Sequence, residues 1–156
     1  MELQKYLRSE GLDKLTETFN IKVNRHSDFS NLVCLKYSQI ESPMGEIIVQ
    51  QCRGIILDED NNWKIVSYPF SKFFNYGEGH ASQIDWSTAK VYEKLDGSLM
   101  TLYFYQGNWH AQSSGMPDAE GKVNVNEFTF RELFWQIWSE LDYSLPLETD
   151  LSLIHI

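Results

Sequence analysis

The sequence predicts an α+β fold, a predominantly antiparallel sheet with flanking helices. Short runs of apolar and β-branched residues alternate with Gly, Asn, Asp and Pro, which is typical of strands joined by tight turns. Apolar residues recur at helical spacing only near the two ends of the 156-residue chain. Because the chain contains no repeat, low-complexity tract or linker, residues 1–156 are predicted to form one domain or part of one.

Both ends of the chain are predicted to be helical. Residues 2–19 carry leucine and aromatic residues at helix spacing, and Gly11 is expected to divide this helix in two. Residues 126–142 place Phe, Leu, Ile and Trp side chains along one face, which is typical of a helix that packs on a sheet.

The strands are predicted between these helices. Residues 24–30 and 114–123 are polar or glycine-rich and predict loops, while residues 58–62 predict the tip of a hairpin. Pro69 is expected to end a strand, because proline cannot donate a hydrogen bond to a ladder. The predicted strands are residues 32–37, 47–57, 63–68, 91–94, 98–105 and 109–113.

The charge of the chain restricts how it could meet a nucleic acid. The formal net charge is −9, so a polyanion would have to contact a local cluster of basic residues. Residues 123–156 contain a single basic residue, Arg131, so any such cluster is expected earlier in the chain.

Cysteine and histidine usage predicts neither a disulfide framework nor a metal site. Cys34 and Cys52 lie in apolar runs without metal-ligand spacing, so they are predicted to be reduced, buried thiols of a cytoplasmic protein. No apolar run approaches the ~20 residues that span a bilayer, and the N-terminus lacks the layout of a signal peptide. The histidines show no pairing pattern and are predicted to be surface or satisfied residues: His26, His80, His110 and His155.

Residues 92–99, with the sequence YEKLDGSL, form the most informative stretch. They place Lys94 between Glu93 and Asp96, directly before a turn at Gly97. An unprotonated lysine amine can attack a phosphate and form a phosphoramidate, so this lysine is a candidate for nucleotidyl transfer. The pattern alone is equally that of a hairpin in which Asp-Gly supplies the turn.

Two further basic residues stand in unusual surroundings. Arg53 interrupts an apolar strand, where a guanidinium needs either a phosphate or an Asp or Glu partner, and Gly54 beside it would allow a ligand to approach closely. Lys72 lies among aromatic residues after Pro69, and the residues alone are consistent with a surface lysine that lies over Phe73 or Phe74.

Three blocks together carry a family resemblance: residues 52–58 (CRGIILD), 68–78 (YPFSKFFNYGE) and 93–99 (EKLDGSL). In order and spacing they resemble the N-terminal adenylation region of the T4 RNA ligase 1-like family, within the covalent nucleotidyltransferases. The resemblance implies that residues 1–156 are the N-terminal part of an RNA ligase nucleotidyltransferase domain. It also implies ATP and Mg²⁺ as cofactors, and RNA with 5′-phosphate and 3′-hydroxyl ends as the partner.

The resemblance further assigns roles to individual residues. Lys94 would take AMP from ATP and pass it to an RNA 5′-phosphate, after which a 3′-hydroxyl would displace it and seal the strand. Glu93 and Asp96 would favour the ammonium form of Lys94, so Mg²⁺, cationic partners or burial must offset them. The residues placed at the nucleotide are Tyr37, Arg53, Lys72, Glu93, Asp96 and Gly97, although Tyr37 equally fits ordinary strand packing.

The resemblance fails at the end of the chain. Residues 150–156 predict the first half of a strand without the glutamate that the family carries there, and no later lysines or acidic residues follow. This ending predicts a truncated, frameshifted or partial chain. Two alternatives therefore stay open: a catalytically incomplete remnant that at most binds nucleotide, and another covalent nucleotidyltransferase such as a DNA ligase or a capping enzyme. The oligomeric state is not predicted.

Overall fold

The computed structural model describes residues 1–123 and 128–147. Every strand pairing in these ranges is antiparallel, which confirms the predicted α+β class. The helices are α1 (Glu2–Phe19), α2 (Ile47–Gln51) and α3 (Phe130–Glu140). The strands are β1 (Ile21–Arg25), β2 (Leu32–Tyr37), β3 (Arg53–Asp58), β4 (Lys64–Ser67), β5 (Met100–Tyr105) and β6 (Asn108–Ser113).

The elements stack in four layers. A four-stranded sheet in the order β1-β2-β3-β4 has α1 on one face and the β5-β6 hairpin on the other, and α3 covers the outer face of the hairpin. Successive side chains of a strand point to opposite faces. In β2, Val33 and Leu35 therefore pack with α1, while Leu32 and Cys34 pack against Tyr103 of the hairpin. Burial on both faces explains why β2 reads as a continuous apolar run.

Helix α1 has the predicted break. Gly11 takes φ 83° and ψ 173°, outside the helical region, and the helix resumes beyond it. Leu3, Leu7 and Leu15 are buried on the two sides of this kink. The helix ends at Asn20, whose φ of 52° is the left-handed conformation that often closes a helix.

The predicted strand over residues 47–57 is wrong in its first half. Ile47–Gln51 forms one helical turn, and Val49 is buried in the core that contains α1. The turn is held there because the amide of Leu3 donates to Gln51 Oε1 at 2.8 Å. Strand β3 begins only at Arg53, so a tertiary contact overrides the strand preference of a β-branched run.

Strand β1 was not predicted, and residues 24 and 25 were assigned to a loop. They pair with β2, with Asn24 opposite Cys34 and Arg25 opposite Val33. Since β1 forms the edge of the sheet, polar side chains are tolerated on it. The side chain of Asn24 donates a hydrogen bond to Gly115 O, and the side chain of Arg25 donates one to Glu59.

The predicted strand at residues 91–94 is also wrong. No helix or strand lies between β4 and β5 in the described chain. Val91 and Tyr92 have strand-forming side chains but are 90% and 79% exposed. A strand requires a partner for its ladder, and none of the described strands pairs with this run.

Helix α3 confirms the predicted helix with shorter limits. Thr129 and Glu132 form a capping box, which fixes the start of the helix at Phe130. Phe134 and Trp138 are buried against the hairpin, as the apolar face predicts. The predicted helix start at residues 126 and 127 and the predicted strand at 150–156 lie outside the described residues.

The cysteine prediction is confirmed. Cys34 and Cys52 are free and buried, and burial raises the pKa of the Cys34 thiol to about 12. His26 is buried, and the ring of His110 stacks on Tyr103 with centroids 5.4 Å apart. Within the described ranges, no helix combines the length and hydropathy that a bilayer crossing requires.

Candidate functional site

A cleft of about 530 Å³ opens where the four-stranded sheet meets the end of the β5-β6 hairpin. One wall comes from β2 and the start of β3, and the other from the end of β6 and the loop after it. The segment that leads into β5 closes a third side. The lining residues are Lys36, Tyr37, Gln39, Arg53, Gly97, Ser98, Leu99, Ser113, Ser114, Gly115, Met116, Gly121 and Phe130.

A β-bulge at Gly54 turns Arg53 toward this cleft. Leu35 pairs with Ile55, and the next residue of β2, Lys36, pairs with Arg53, so Gly54 has no partner in the ladder. Without the bulge, Arg53 would share the face of Ile55 and point into the apolar core beneath α1. With the bulge, Arg53 joins Lys36 on the face that looks at the hairpin.

The same glycine is the contact point of the two sheets. Gly54 has φ 85°, and a Cβ at this position would lie 2.8 Å from the backbone oxygen of Ser114. The carbonyl of Gly54 accepts a hydrogen bond from Gln112 Nε2 at 2.6 Å, in a buried position. Close approach at a glycine therefore fixes residues 112–115 against β3 and builds the second wall of the cleft.

Arg53 is the strongest candidate for anion binding. Its Nη1 is buried and has no hydrogen-bond partner in the described structure. Its guanidinium carbon lies 4.4 Å from the ring centroid of Phe73 and 5.8 Å from that of Phe70. The aromatic faces stabilise the positive charge, but they do not satisfy the N–H groups. A buried donor without a partner costs free energy, so an anion in the cleft would supply what this nitrogen lacks.

The other predicted site residues divide into two groups. Tyr37 is buried and lines the cleft, and Gly97 of the lysine motif lines it from the opposite side. Lys72 does not line the cleft. Its Nζ instead lies over the ring of Phe74, 4.9 Å from the ring centroid. This is the arrangement of a surface lysine over an aromatic ring that the sequence also allowed.

Lys94 lies outside the cleft. Its side chain is 81% exposed, and its Nζ lies 3.1 Å from Oδ1 of Asp96, which is itself 100% exposed. Glu93 is also exposed. The structure therefore brings Tyr37, Arg53 and Gly97 together and leaves Glu93, Lys94 and Asp96 at the surface next to them.

Sequence reasoning missed Lys36 and Ser114. Lys36 Nζ donates to Ser114 Oγ at 2.9 Å inside the cleft. Lys36 could have been found by the feature that identified Arg53, namely a single charged residue within an apolar strand. Ser114 carried no signal, because only the close approach at Gly54 brings the end of β6 to β2.

The described residues do not form a metal site of their own. In residues 1–123 and 128–147, no three His, Cys, Asp or Glu side chains come close enough to hold an ion. Protein-bound Mg²⁺ commonly takes one or two carboxylates and completes its shell with water and substrate phosphates.

Comparison with known proteins shows the family of the chain. A family model described as RNA ligase, of the T4 RNA ligase 1 type, matches residues 51–140. That range contains Arg53, Lys72, Lys94 and Ser114. The chain belongs to this RNA ligase family.

Two relatives support the assignment to the RNA ligase family. A protein of Autographa californica nuclear polyhedrosis virus, described as a candidate bifunctional polynucleotide kinase/RNA ligase, is 31% identical over 146 residues, or 87% of this chain. The RNA ligase of Rhodothermus phage RM378 is 34% identical over 119 residues, or 57% of this chain. The chain spans 21% and 27% of the length of these relatives. No solved structure matches it significantly.

Proposed function

We propose that this chain contributes the nucleotide cleft and the lysine nucleophile of an ATP-dependent RNA ligase. The observation that carries the proposal is the buried, unpartnered Nη1 of Arg53 in a cleft that Gly97 of the lysine motif also lines. The cleft volume of about 530 Å³ is within the usual range of small-molecule sites. Membership in the RNA ligase family supports ATP as the nucleotide and RNA as the acceptor.

The proposed chemistry is a nucleophilic transfer on Lys94. The unprotonated Nζ attacks the α-phosphorus of ATP, an N–P bond forms, and the bond to the β-phosphate oxygen breaks, so that pyrophosphate leaves with its electron pair. The resulting phosphoramidate passes AMP to the 5′-phosphate of RNA. A 3′-hydroxyl then attacks that phosphate, seals the strand and releases AMP.

Each side chain of the cleft has a distinct task in this proposal. Arg53 binds phosphate oxygens through its free N–H groups, and Tyr37 forms the adjoining wall. Bound Mg²⁺ would neutralise charge on the triphosphate, with Asp96 and Glu93 as candidate carboxylate ligands. Charge stabilisation of this kind is the main contribution that proteins make to phosphoryl transfer.

Lys94 needs a local movement to act. Its Nζ has to leave the carboxylate of Asp96 before it can attack phosphorus. Gly97 in the cleft wall is three positions further along the chain, and three residues span at most about 11 Å. We therefore expect a change confined to the exposed residues around 93–97 to bring the amine to a nucleotide in the cleft.

A cytoplasmic site of action in RNA repair fits this activity. The two cysteines are free and buried, which is usual for proteins of reducing compartments. The acceptor proposed is RNA with a 5′-phosphate at one end and a 3′-hydroxyl at the other.

The test is transfer of label from α-³²P-ATP to the chain in the presence of Mg²⁺. We expect a label that survives base and is lost with acid, as a phosphoramidate requires, and that disappears in Lys94→Ala. Lys90→Ala is the matched control, because it removes another exposed lysine of the same segment and should keep the label. A label that persists in Lys94→Ala contradicts the assignment of the nucleophile.

The class of acceptor is tested by offering nicked RNA, single-stranded RNA and nicked DNA to the labelled chain. Transfer to the RNA ends is expected, and transfer to nicked DNA alone would favour a DNA ligase. The exposure of Lys94 favours one alternative, namely a chain that binds nucleotide without covalent transfer. ATP binding that depends on Arg53, together with no label on the wild-type chain, would establish that alternative.

A further inference from the structure

Lys36 is a second cation in the cleft that neither the motif blocks nor the relatives assign. It lies directly across from Arg53 in the β2-β3 ladder, on the same face of the sheet. Both residues line the cleft. Directly opposed side chains of an antiparallel pair have Cβ atoms only about 4.5–5.5 Å apart, so the two cations reach the same space.

Neither cation forms an ion pair with a carboxylate in residues 1–123 or 128–147. The ion pairs of the described chain involve Glu2, Glu59, Asp96 and Glu120, and none of them includes Lys36 or Arg53. Two adjacent positive charges repel each other across a half-buried surface, which is a cost that an anion between them would remove. In a chain of net charge −9, such a pair marks a specific anion site, since overall attraction cannot supply one.

The ammonium of Lys36 is held in position at the cleft wall. Its Nζ donates to Ser114 Oγ at 2.9 Å, which uses one of its three N–H groups. Gly115 makes room for the side chain, because a Cβ there would lie 3.2 Å from Cδ of Lys36. The loop is fixed in turn by Asn24 Nδ2, which donates to Gly115 O at 2.7 Å. Two N–H groups of Lys36 remain for a ligand.

We propose that Lys36 is a phosphate-binding residue of this cleft, positioned by Ser114 and acting with Arg53 on the phosphates of the bound nucleotide. This inference rests on the proposed function and adds to it a cation from β2. The paired cations bind oxygens of a phosphate chain, while the adenosine part of ATP does not contact Lys36.

The test compares the binding of ATP, inorganic triphosphate and adenosine, by calorimetry and by competition, in wild type and in Lys36 variants. Lys36→Gln keeps a polar group for Ser114 but removes the charge, and Lys36→Arg keeps the charge. We expect Lys36→Gln to weaken ATP and triphosphate binding by about tenfold or more, the usual effect of losing a charged hydrogen bond. Adenosine competition should not change, and Lys36→Arg should retain most of the affinity for ATP.

Two more variants separate position from charge. Ser114→Ala should weaken ATP binding by less than Lys36→Gln does, because the ammonium remains but loses its fixed orientation. Lys64→Gln removes a positive charge from an exposed position of the same sheet and should leave binding unchanged. The unliganded unfolding midpoint of Lys36→Gln should be no lower than that of wild type, because the variant also loses the repulsion from Arg53, and weaker binding then cannot be attributed to unfolding.

The outcomes distinguish this inference from the function on which it rests. If Arg53→Ala weakens ATP binding and Lys36→Gln does not, the role of Lys36 is overturned and the nucleotide cleft stands. Equal losses of adenosine and triphosphate binding in Lys36→Gln also overturn it, since they indicate general damage to the wall. If wild type binds neither ATP nor triphosphate, the nucleotide cleft itself is refuted and Lys36 loses its role with it.

Discussion

The walls of the cleft and the segment between β4 and β5 differ sharply in how they are held. Lys36 and Arg53 stand on paired strands, and the opposing wall is fixed by the Gly54–Gln112 hydrogen bond. Residues 68–99 contain no strand or helix, and among the described residues the Lys94 side chain is hydrogen-bonded to Asp96 of the same exposed segment. The groups that would bind phosphate are thus pre-positioned, while the proposed nucleophile is not.

This difference has a physical basis. A phosphate subsite gains affinity when its donors are fixed before the ligand arrives, because less side-chain freedom is then lost on binding. A nucleophile that must approach ATP, carry AMP and present it to RNA requires freedom to move between positions. Binding and transfer therefore make opposite demands on these two regions.

The largest expected effect comes from two glycines with the same φ of 85°, one in each region. Gly54→Ala should lower the free energy of unfolding by about 2–4 kcal/mol, because left-handed strain adds to a Cβ clash with the Ser114 backbone. Gly77→Ala meets no atom within 4 Å and should cost only the left-handed strain of about 1–2 kcal/mol. Urea denaturation of both variants measures the difference, and equal costs would contradict a tight junction at Gly54.

The next effect separates the two predicted phosphate contacts. Arg53→Ala should weaken ATP binding by roughly 10- to 150-fold, as the loss of charged hydrogen bonds in a desolvated site predicts. Lys72→Ala should weaken it less, because Lys72 lies over Phe74 outside the cleft. Calorimetric titration with ATP checks both variants. An equal loss of ATP affinity in the two variants would mean that the segment between β4 and β5 closes over the phosphates. The proposed difference between a fixed cleft wall and a separate segment would then be wrong.

A smaller effect is a dependence of stability on pH that originates where the hairpin meets β1. Burial lowers the pKa of His26, against the opposing charge of Asp118, and burial also lowers the pKa of His110. The unfolded chain then takes up protons near pH 6.5 that the folded chain does not, so stability should fall as pH drops below about 6.5. His26 Nδ1 also accepts a hydrogen bond from the amide of Asp28, which protonation would remove.

Denaturation at pH 7.5 and 5.5 tests this dependence. The double variant His26→Gln/His110→Gln should show a weaker loss of stability at low pH than wild type. His80→Gln, at an exposed position of the segment, is the control and should keep the wild-type dependence. If only His80→Gln reduces the loss of stability at low pH, the pH dependence arises in the segment between β4 and β5, which contradicts its assignment to His26 and His110.

The smallest effect concerns the link between the two regions. Phe73 packs on the guanidinium of Arg53 with 4.4 Å between the charge and the ring centroid, so Phe73→Leu should cost about 0.5–1 kcal/mol of the free energy of ATP binding. Tyr76→Leu removes an exposed aromatic of the same segment that does not stack on Arg53, and should change binding by less. Titration with ATP compares the two variants directly.

The sequence predicted the fold where the local pattern and the tertiary contacts agree. Helix α1 with its break at Gly11, strand β2 and helix α3 all follow from the spacing of apolar residues and from the position of a helix-breaking glycine. The helical turn at Ile47–Gln51 does not, because its β-branched residues favour a strand until Leu3 and Gln51 join. Strand β1 has Ile21 and Val23 alternating with polar residues, a pattern too short to identify a strand, and it pairs because β2 offers its edge.

The sequence identified charged residues of the candidate site, but not which of them the fold brings together. Arg53 was identifiable as a charge within an apolar strand. Gly54 was predicted to allow close approach of a ligand, whereas the backbone of Ser114 makes the close approach there. That the bulge at Gly54 turns Arg53 and Lys36 to one face depends on the register of β2 and β3. The contact of Lys36 with Ser114 joins residues 78 positions apart in the chain, so only the fold places them together.

The most direct test of the account is the intact mass of the chain after exposure to ATP and Mg²⁺. The account predicts a shift by one AMP in wild type, no shift in Lys94→Ala, and a reduced extent of modification in Lys36→Gln at limiting ATP. Wild-type protein that binds ATP but keeps its unmodified mass would contradict the claim that the exposed lysine reaches the cleft and receives the nucleotide.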